Sequence, residues 1–161
     1  MTPRPAHFLT VALALAGCLN TTDAARDRDP APVLSARIEA SGTDMGAALN
    51  RARAQNGRPA ARPNAALMAA ALEQARHMAS TNAVQHSGSG GSNVGQRVRR
   101  AGCAWTWVGE NVAGGQPTDQ AAMDGWMASA GHRRNVLNPA ATSYGSASVG
   151  TYRSLVLASG C

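Results

Sequence analysis

Three polar side chains in the second half of the chain have the types that chemistry requires: His86, Glu110 and His132. Glu110 lies in the otherwise apolar run of residues 109–113, where a carboxylate must have a partner or face a cleft, because burying it alone is costly. Two imidazoles and one carboxylate could form a divalent-metal site or an acid–base pair. They could equally brace loops by hydrogen bonds, with Glu110 as the acceptor.

Ser129 is a further candidate, because it lies three residues before His132. It could act as a nucleophile with His132 as its base, but this spacing near a helix end is a weak pattern. The sequence contains neither HExxH nor GxSxG, the patterns typical of zinc proteases and of serine hydrolases.

The elements that position these residues alternate between helices and strands. Apolar residues at intervals of three and four predict helices at residues 45–55, 65–79, 93–100 and 118–127. Asn64 is the predicted N-cap of the second helix, and a Gly- and Ser-rich loop carries His86. Runs of strand-forming residues predict strands at residues 105–112, 144–149 and 152–158.

The first 17 residues have the pattern of an export signal, with Arg4 followed by the apolar stretch FLTVALALA. This stretch is too short to span a bilayer as a mature helix. It ends in LAGC, which resembles the bacterial lipobox, whose Cys is lipidated and becomes the mature N-terminus. We predict a lipoprotein signal peptide at residues 1–17 and a membrane anchor on Cys18; an ordinary signal peptide with an incidental Cys is the alternative.

The length of 161 residues suits one domain with a leader and a tether. Residues 18–43 carry Thr, Ala, Pro and mixed charge, which predicts a flexible linker after the anchor, within which residues 33–40 could form a short helix. The predicted globular domain is residues 44–161. Alanine supplies much of the 44% hydrophobic content, so the core must rest on close packing around a few large side chains.

All 15 basic residues are Arg, and the formal net charge is +6. They are scattered and accompany no zinc-finger, RNP or basic-helix pattern, so we expect no nucleic-acid partner. If Cys18 carries a lipid, Cys103 and Cys161 remain as a pair beside predicted strands in an oxidising compartment. We predict a disulfide between them; two free thiols are the alternative.

Several motifs together resemble one family. They are Leu49-Asn50-x-x-Arg53, His86-Ser87, the block GENVA at residues 109–113 and the block WMxSxGHRRNVL at residues 126–137. In this order they are similar to the bacterial SCP-like branch of the CAP superfamily, named after cysteine-rich secretory proteins, antigen 5 and pathogenesis-related proteins.

The resemblance implies an α/β fold: a three-layer α-β-α sandwich around a central antiparallel sheet, with an open cleft. His86 and His132 match the two cleft histidines, and Glu110 matches the acid of the GEN block. The second acid of eukaryotic members falls at Ser129, so the tetrad is incomplete. No cofactor is required; if the cleft holds a metal, His86 and His132, with Glu110, are the expected ligands and Zn²⁺ or Mg²⁺ the ion.

The leading functional expectation is a non-enzymatic module that binds an envelope component, a lipid or a glycan in its His/Glu cleft. One alternative is a metal-assisted hydrolase of peptide or cell-wall material, with Glu110 as its base. The other is a structural surface protein with a vestigial cleft. We expect an exported lipoprotein, with secretion as the alternative. In a Gram-negative cell it would lie in the outer membrane or face the periplasm, because Leu19 and not Asp follows Cys18.

Overall fold

The computed structural model describes the backbone of residues 32–161 and the side chains of residues 44–161. The predicted signal peptide and the predicted lipid anchor on Cys18 lie outside the described residues. Helix α1 (Pro32–Gln55) begins well before residue 45. Residues 32–43, which lie within the predicted linker and include the possible short helix at residues 33–40, are part of this helix, and Pro32 stands in its first turn, where proline is favoured.

The sheet has four strands in the order β1-β3-β4-β2. Strands β3 (Ser143–Val149) and β4 (Tyr152–Ser159) form an antiparallel hairpin, and β2 (Trp107–Ala113) pairs with β4, also antiparallel. Strand β1 (Arg62–Pro63) pairs with β3 in parallel. The sheet is thus mixed, with an antiparallel centre as predicted and a two-residue parallel edge that was not predicted.

Two helices cover one face of the sheet. Helix α2 (Ala65–Thr81) begins at its predicted cap, where the Asn64 side chain accepts from the Leu67 N–H at 3.1 Å. Helix α3 (Val94–Arg100) begins with a reciprocal capping box between Asn93 and Gln96. Helix α2 lies so close to β3 that a methyl group at Gly145 would collide with the α2 backbone.

The other face carries α1, α4 (Asp119–Ala128) and α5 (Ala130–Val136). Strand β4 shows the two-sided burial directly, because its alternate residues contribute to two different hydrophobic clusters. Leu155 and Leu157 pack with α1 and α4, whereas Val156 and Ala158 pack with α2 and α3. Helices on both faces of one sheet make the α-β-α sandwich, which confirms the predicted fold class.

The disulfide between Cys103 and Cys161 is confirmed, with the two Cα atoms 5.3 Å apart. It links the segment before β2 to the segment after β4, and so fastens the two neighbouring strands at one end. Within the described residues, no helix is both long enough and apolar enough to cross a membrane.

Candidate functional site

Glu110 lies on β2, the strand at one edge of the sheet, and its side chain is only 1% exposed. Both carboxylate oxygens are engaged. Oε1 accepts from Arg97 Nη2 at 2.7 Å and from the Ser154 hydroxyl at 3.3 Å, and Oε2 lies 3.0 Å from His86 Nδ1. The carboxylate therefore has the partners that its burial demands.

Arg97 was not predicted to be part of the site, yet it is the main partner of Glu110. Its side chain is fully buried on α3, and it also donates to the carbonyl oxygens of Ser92 at 2.7 Å and His86 at 3.3 Å. One cation thus neutralises Glu110 and holds both ends of the loop that carries His86. The sequence signal for it is an arginine three residues after Val94, a spacing that places it beside the partly buried Val94 on α3.

Buried side chains of helices α2 and α3 hold the loop from His86 to Ser92 in place. Gln74 on α2 donates to the carbonyls of Gln85 and Ser87, which fixes the loop from below. A Cβ at Gly88 would lie 2.7 Å from Arg97 Nη1 and 2.9 Å from Gln74 Oε1, so a larger residue there would require these side chains to shift. The imidazole of His86 itself is 59% exposed, so it presents its remaining surface to solvent while Nδ1 contacts Glu110.

His132 comes to the same region from helix α5. Two asparagines fasten this helix to β2: Asn111 donates to the His132 carbonyl at 3.1 Å, and Asn135 donates to Asn111 Oδ1 at 2.9 Å and to the Glu110 carbonyl at 3.2 Å. Burial, and then the charge of nearby His86, lower the pKa of the His132 imidazole below its ordinary value. The neutral imidazole is therefore favoured near pH 7.

Ser129 stands between two helices, as the C-cap of α4 and the N-cap of α5. Its hydroxyl makes no hydrogen bond to a described residue, His132 included. The nucleophile–base pair considered from the sequence is therefore not assembled in this arrangement.

Ser129 and His132 do both line an open groove of about 370 Å³. Trp126 also lines the groove and is held in place because its indole N–H donates to the Val112 carbonyl at 3.1 Å. Val84 also lines the groove and is 52% exposed, the one large hydrophobic side chain so exposed among residues 44–161. Most of the lining is apolar or glycine: Val84, Val112, Ala113, Gly114, Ala122, Gly125 and Trp126, with Gln116, Ser129 and His132 as the polar members.

The donor set does not form a metal centre in this arrangement. Residues 44–161 contain no group of three or more His, Cys, Asp or Glu side chains placed to hold an ion. Two imidazoles alone are one ligand short of the three that catalytic zinc sites use. Both oxygens of Glu110 already accept hydrogen bonds from other groups. Binding of Zn²⁺ or Mg²⁺ by His86 and His132 remains a prediction.

The fold and these motifs define a family. The chain belongs to the CAP group, the cysteine-rich secretory protein family, whose model matches residues 47–157. The family prediction made from the motifs is therefore confirmed.

Individual relatives match only part of this chain, and this chain matches only part of their length. The uncharacterized protein YkwD of Bacillus subtilis is 42% identical over 48 residues, which are 30% of this chain and 19% of that protein. The structure of an extracellular protein containing an SCP domain from Bacillus anthracis matches with a TM-score of 0.72 at 22% identity, over 76% of this chain and 41% of that one. The structure of an outer surface protein from Borrelia burgdorferi matches with a TM-score of 0.67 at 15% identity, over 73% of this chain and 90% of that one. The structural matches show the shared fold, and this chain spans less than half the length of the two Bacillus proteins.

Proposed function

We propose that this protein is a non-enzymatic binding module of the cell envelope. The open groove beside Ser129 and His132 receives a molecule with an apolar segment, such as an acyl chain or another lipid-like envelope component. The observation that carries the non-enzymatic part of this proposal is the hydrogen bonding of the Glu110 carboxylate, whose two oxygens accept from Arg97, Ser154 and His86.

A general base must reach the proton that it removes. The Glu110 side chain is 1% exposed, and a buried arginine lies against it. The ion pair leaves the carboxylate little freedom to move toward a substrate. This supports a bracing role for Glu110, in which it positions His86 and the loop that carries it.

The groove has the composition of a binding site. Small-molecule sites commonly occupy about 300–1,000 Å³ and are mainly apolar with a few polar groups. The groove falls within that range at about 370 Å³, and three of its ten lining residues are polar. Val84 adds an exposed apolar side chain to this lining.

An envelope location is part of the same proposal. The export leader and the lipobox-like LAGC supply the route and the anchor. The disulfide suits an oxidising compartment. Two of the structurally similar proteins are an extracellular protein and an outer surface protein. We propose that Cys18 carries the lipid and that the domain faces the periplasm or the cell exterior.

The test blocks the groove without touching the core. Gly125 lines the groove on α4, and Gly131 lies outside it on α5; neither has any atom within 4 Å of an added Cβ. We expect Gly125→Leu to weaken binding of a fatty acid that carries an environment-sensitive fluorophore by at least about tenfold, or about 1.4 kcal/mol. Gly131→Leu, the matched control, should bind as the parent does. Equal affinity in all three proteins, or no binding by the parent, contradicts the proposal.

The hydrolase alternative makes the opposite prediction about Glu110. If Glu110 is a base, Glu110→Gln abolishes turnover of peptide or cell-wall substrates and leaves acyl-probe binding intact. If it is a brace, the parent shows no turnover to abolish, and the substitution disturbs the loop that carries His86. If neither His86→Ala nor Gly125→Leu changes the envelope phenotype of the cells, that result would instead favour a structural surface protein.

A further inference from the structure

We infer that the groove beside Ser129 and His132 prefers an uncharged amphiphile, whose acyl chain ends in a hydroxyl or amide group, to one that ends in an ionised group such as a carboxylate. This inference rests on the proposed function and specifies its ligand class. It starts from the charges around the groove. The ten described residues that line it include no Arg, Lys, Asp or Glu, and its polar members are Gln116, Ser129 and His132.

Other cavities of residues 44–161 have a different lining. Arg53 lines one of them, and Arg51 lines two more. The chain as a whole carries 15 basic residues and a formal net charge of +6. The uncharged lining is therefore a local property of the groove and does not reflect a chain that is poor in cations.

The charged side chains next to the groove are paired within the protein. Arg153 donates to the Gln116 carbonyl at 2.6 Å, but it also pairs with Asp119 at 2.8 Å, and both side chains are largely buried. Glu110 pairs with Arg97 at 2.7 Å. Because each of these pairs is neutral overall, it offers an ionised ligand group no opposite charge.

An ionised group in the groove would lose hydration without gaining an opposite charge, which is costly. The hydrogen-bonding groups of the lining suit a neutral ligand better. A serine hydroxyl both donates and accepts, and so does a glutamine amide. The Ser129 hydroxyl makes no hydrogen bond to a described residue, so it can bond to a ligand. A ligand hydroxyl or amide can use such groups in both directions, whereas a carboxylate only accepts.

The course of the groove along α4 suits a single acyl chain. Ala122, Gly125, Trp126 and Ser129 all line it, and their spacing of three and four residues places them along one face of the helix. At a rise of 1.5 Å per residue, this face extends over about 10 Å from Ala122 to Ser129. An acyl chain can therefore lie against the apolar part of the face with its polar end at Ser129.

The experiment is a calorimetric titration of the full chain with two monomeric probes that share one acyl chain, dodecanoate and 1-monododecanoylglycerol. At pH 8 the carboxyl group is ionised and an imidazole of ordinary pKa is neutral. The informative variant is Ser129→Lys, which adds a cation to the lining at a position whose side chain makes no cap bond. The matched control is Gln55→Lys, which adds the same charge at an exposed position of α1 outside the groove.

We expect the parent and Gln55→Lys to bind 1-monododecanoylglycerol at least about tenfold more tightly than dodecanoate, because only the carboxylate lacks a partner of opposite charge. Ser129→Lys should lower this ratio by at least about tenfold, because it supplies that charge. Gly125→Leu should weaken the binding of both probes.

The contrary outcomes separate this inference from the proposed function. Equal affinities for the two probes in the parent, or tighter binding of dodecanoate, overturn the inference, and so does the same ratio in Ser129→Lys and Gln55→Lys. If Gly125→Leu still weakens both probes in those cases, the groove remains the binding site and only its preference is different. A parent that binds neither probe contradicts both the inference and the proposed function.

Discussion

Replacing Arg97 by Met removes the buried cation that pairs with the Glu110 carboxylate. The guanidinium donates to Glu110 at 2.7 Å and to the Ser92 and His86 carbonyls, and both side chains of the ion pair are essentially inaccessible to water. The substitution leaves the carboxylate buried with only a neutral hydroxyl and an exposed His86 as partners. Met has a good helix propensity, so helix formation itself is hardly affected.

The expected loss is large for a domain of this size. Breaking a buried ion pair by removing one partner lowers the free energy of unfolding by about 3–5 kcal/mol, against a total of about 5–15 kcal/mol for an ordinary domain. With an m-value of about 1.5 kcal/mol/M in urea, the unfolding midpoint should fall by about 2–3 M.

Helix α3 offers a matched control three residues away. Arg100 also pairs with a carboxylate at 2.7 Å, on Glu73, but the two side chains are 52% and 37% exposed. Exposed pairs contribute about 0.2–1 kcal/mol, so Arg100→Met should lower the free energy of unfolding by less than about 1 kcal/mol. Urea unfolding followed by tryptophan fluorescence measures both variants. Equal, small losses for the two would refute the claim that Arg97 neutralises a buried Glu110.

Three further outcomes are expected. Replacing Cys103 and Cys161 by Ser should lower the free energy of unfolding by about 4 kcal/mol, the chain-entropy value for a separation of 58 residues, and urea unfolding that matches the oxidised parent would contradict this. Gly145→Ala should destabilise the domain by about 1–3 kcal/mol because the added methyl group meets the α2 backbone. Gly125→Ala, in open space on a helix, should stabilise the domain by up to about 1 kcal/mol. Thermal unfolding that ranks the two variants in the opposite order would refute this account of the packing. The fold lowers the pKa of His132, so protonation of this imidazole opposes folding as the pH falls below the unfolded-state pKa of about 6.5. The free energy of unfolding of His132→Gln, relative to that of the parent, should therefore be higher at pH 5 than at pH 8. A stability difference between the two proteins that does not vary with pH would contradict this.

Much of the sandwich could be predicted from local patterns. The apolar stripe and the Asn64 cap determine α2, and β4 reads as a strand because its residues are apolar on both faces. Strand β1 escaped prediction because two residues that include a proline carry no periodic signal. Helix α5 was not predicted because its seven residues, AGHRRNV, show no apolar stripe at intervals of three and four.

The contacts of the candidate site residues could not be predicted from the sequence. The motifs indicated His86, Glu110 and His132, and the apolar surroundings of Glu110 indicated that it needed a partner. That this partner is Arg97 depends on the packing of α3 against β2, a long-range contact that no local pattern encodes. The same reason hid the role of Gln74, which supports the His86 loop from α2.

The most direct test of the central claim, that this CAP domain binds a ligand in its groove, is native mass spectrometry of the full chain. The protein is expressed with its own leader in bacteria and released gently from the envelope. We predict that the parent and Gly131→Leu carry one bound lipid-like molecule and that Gly125→Leu carries none. A parent that emerges without a bound molecule, or the same bound molecule at equal occupancy in Gly125→Leu, would contradict the account.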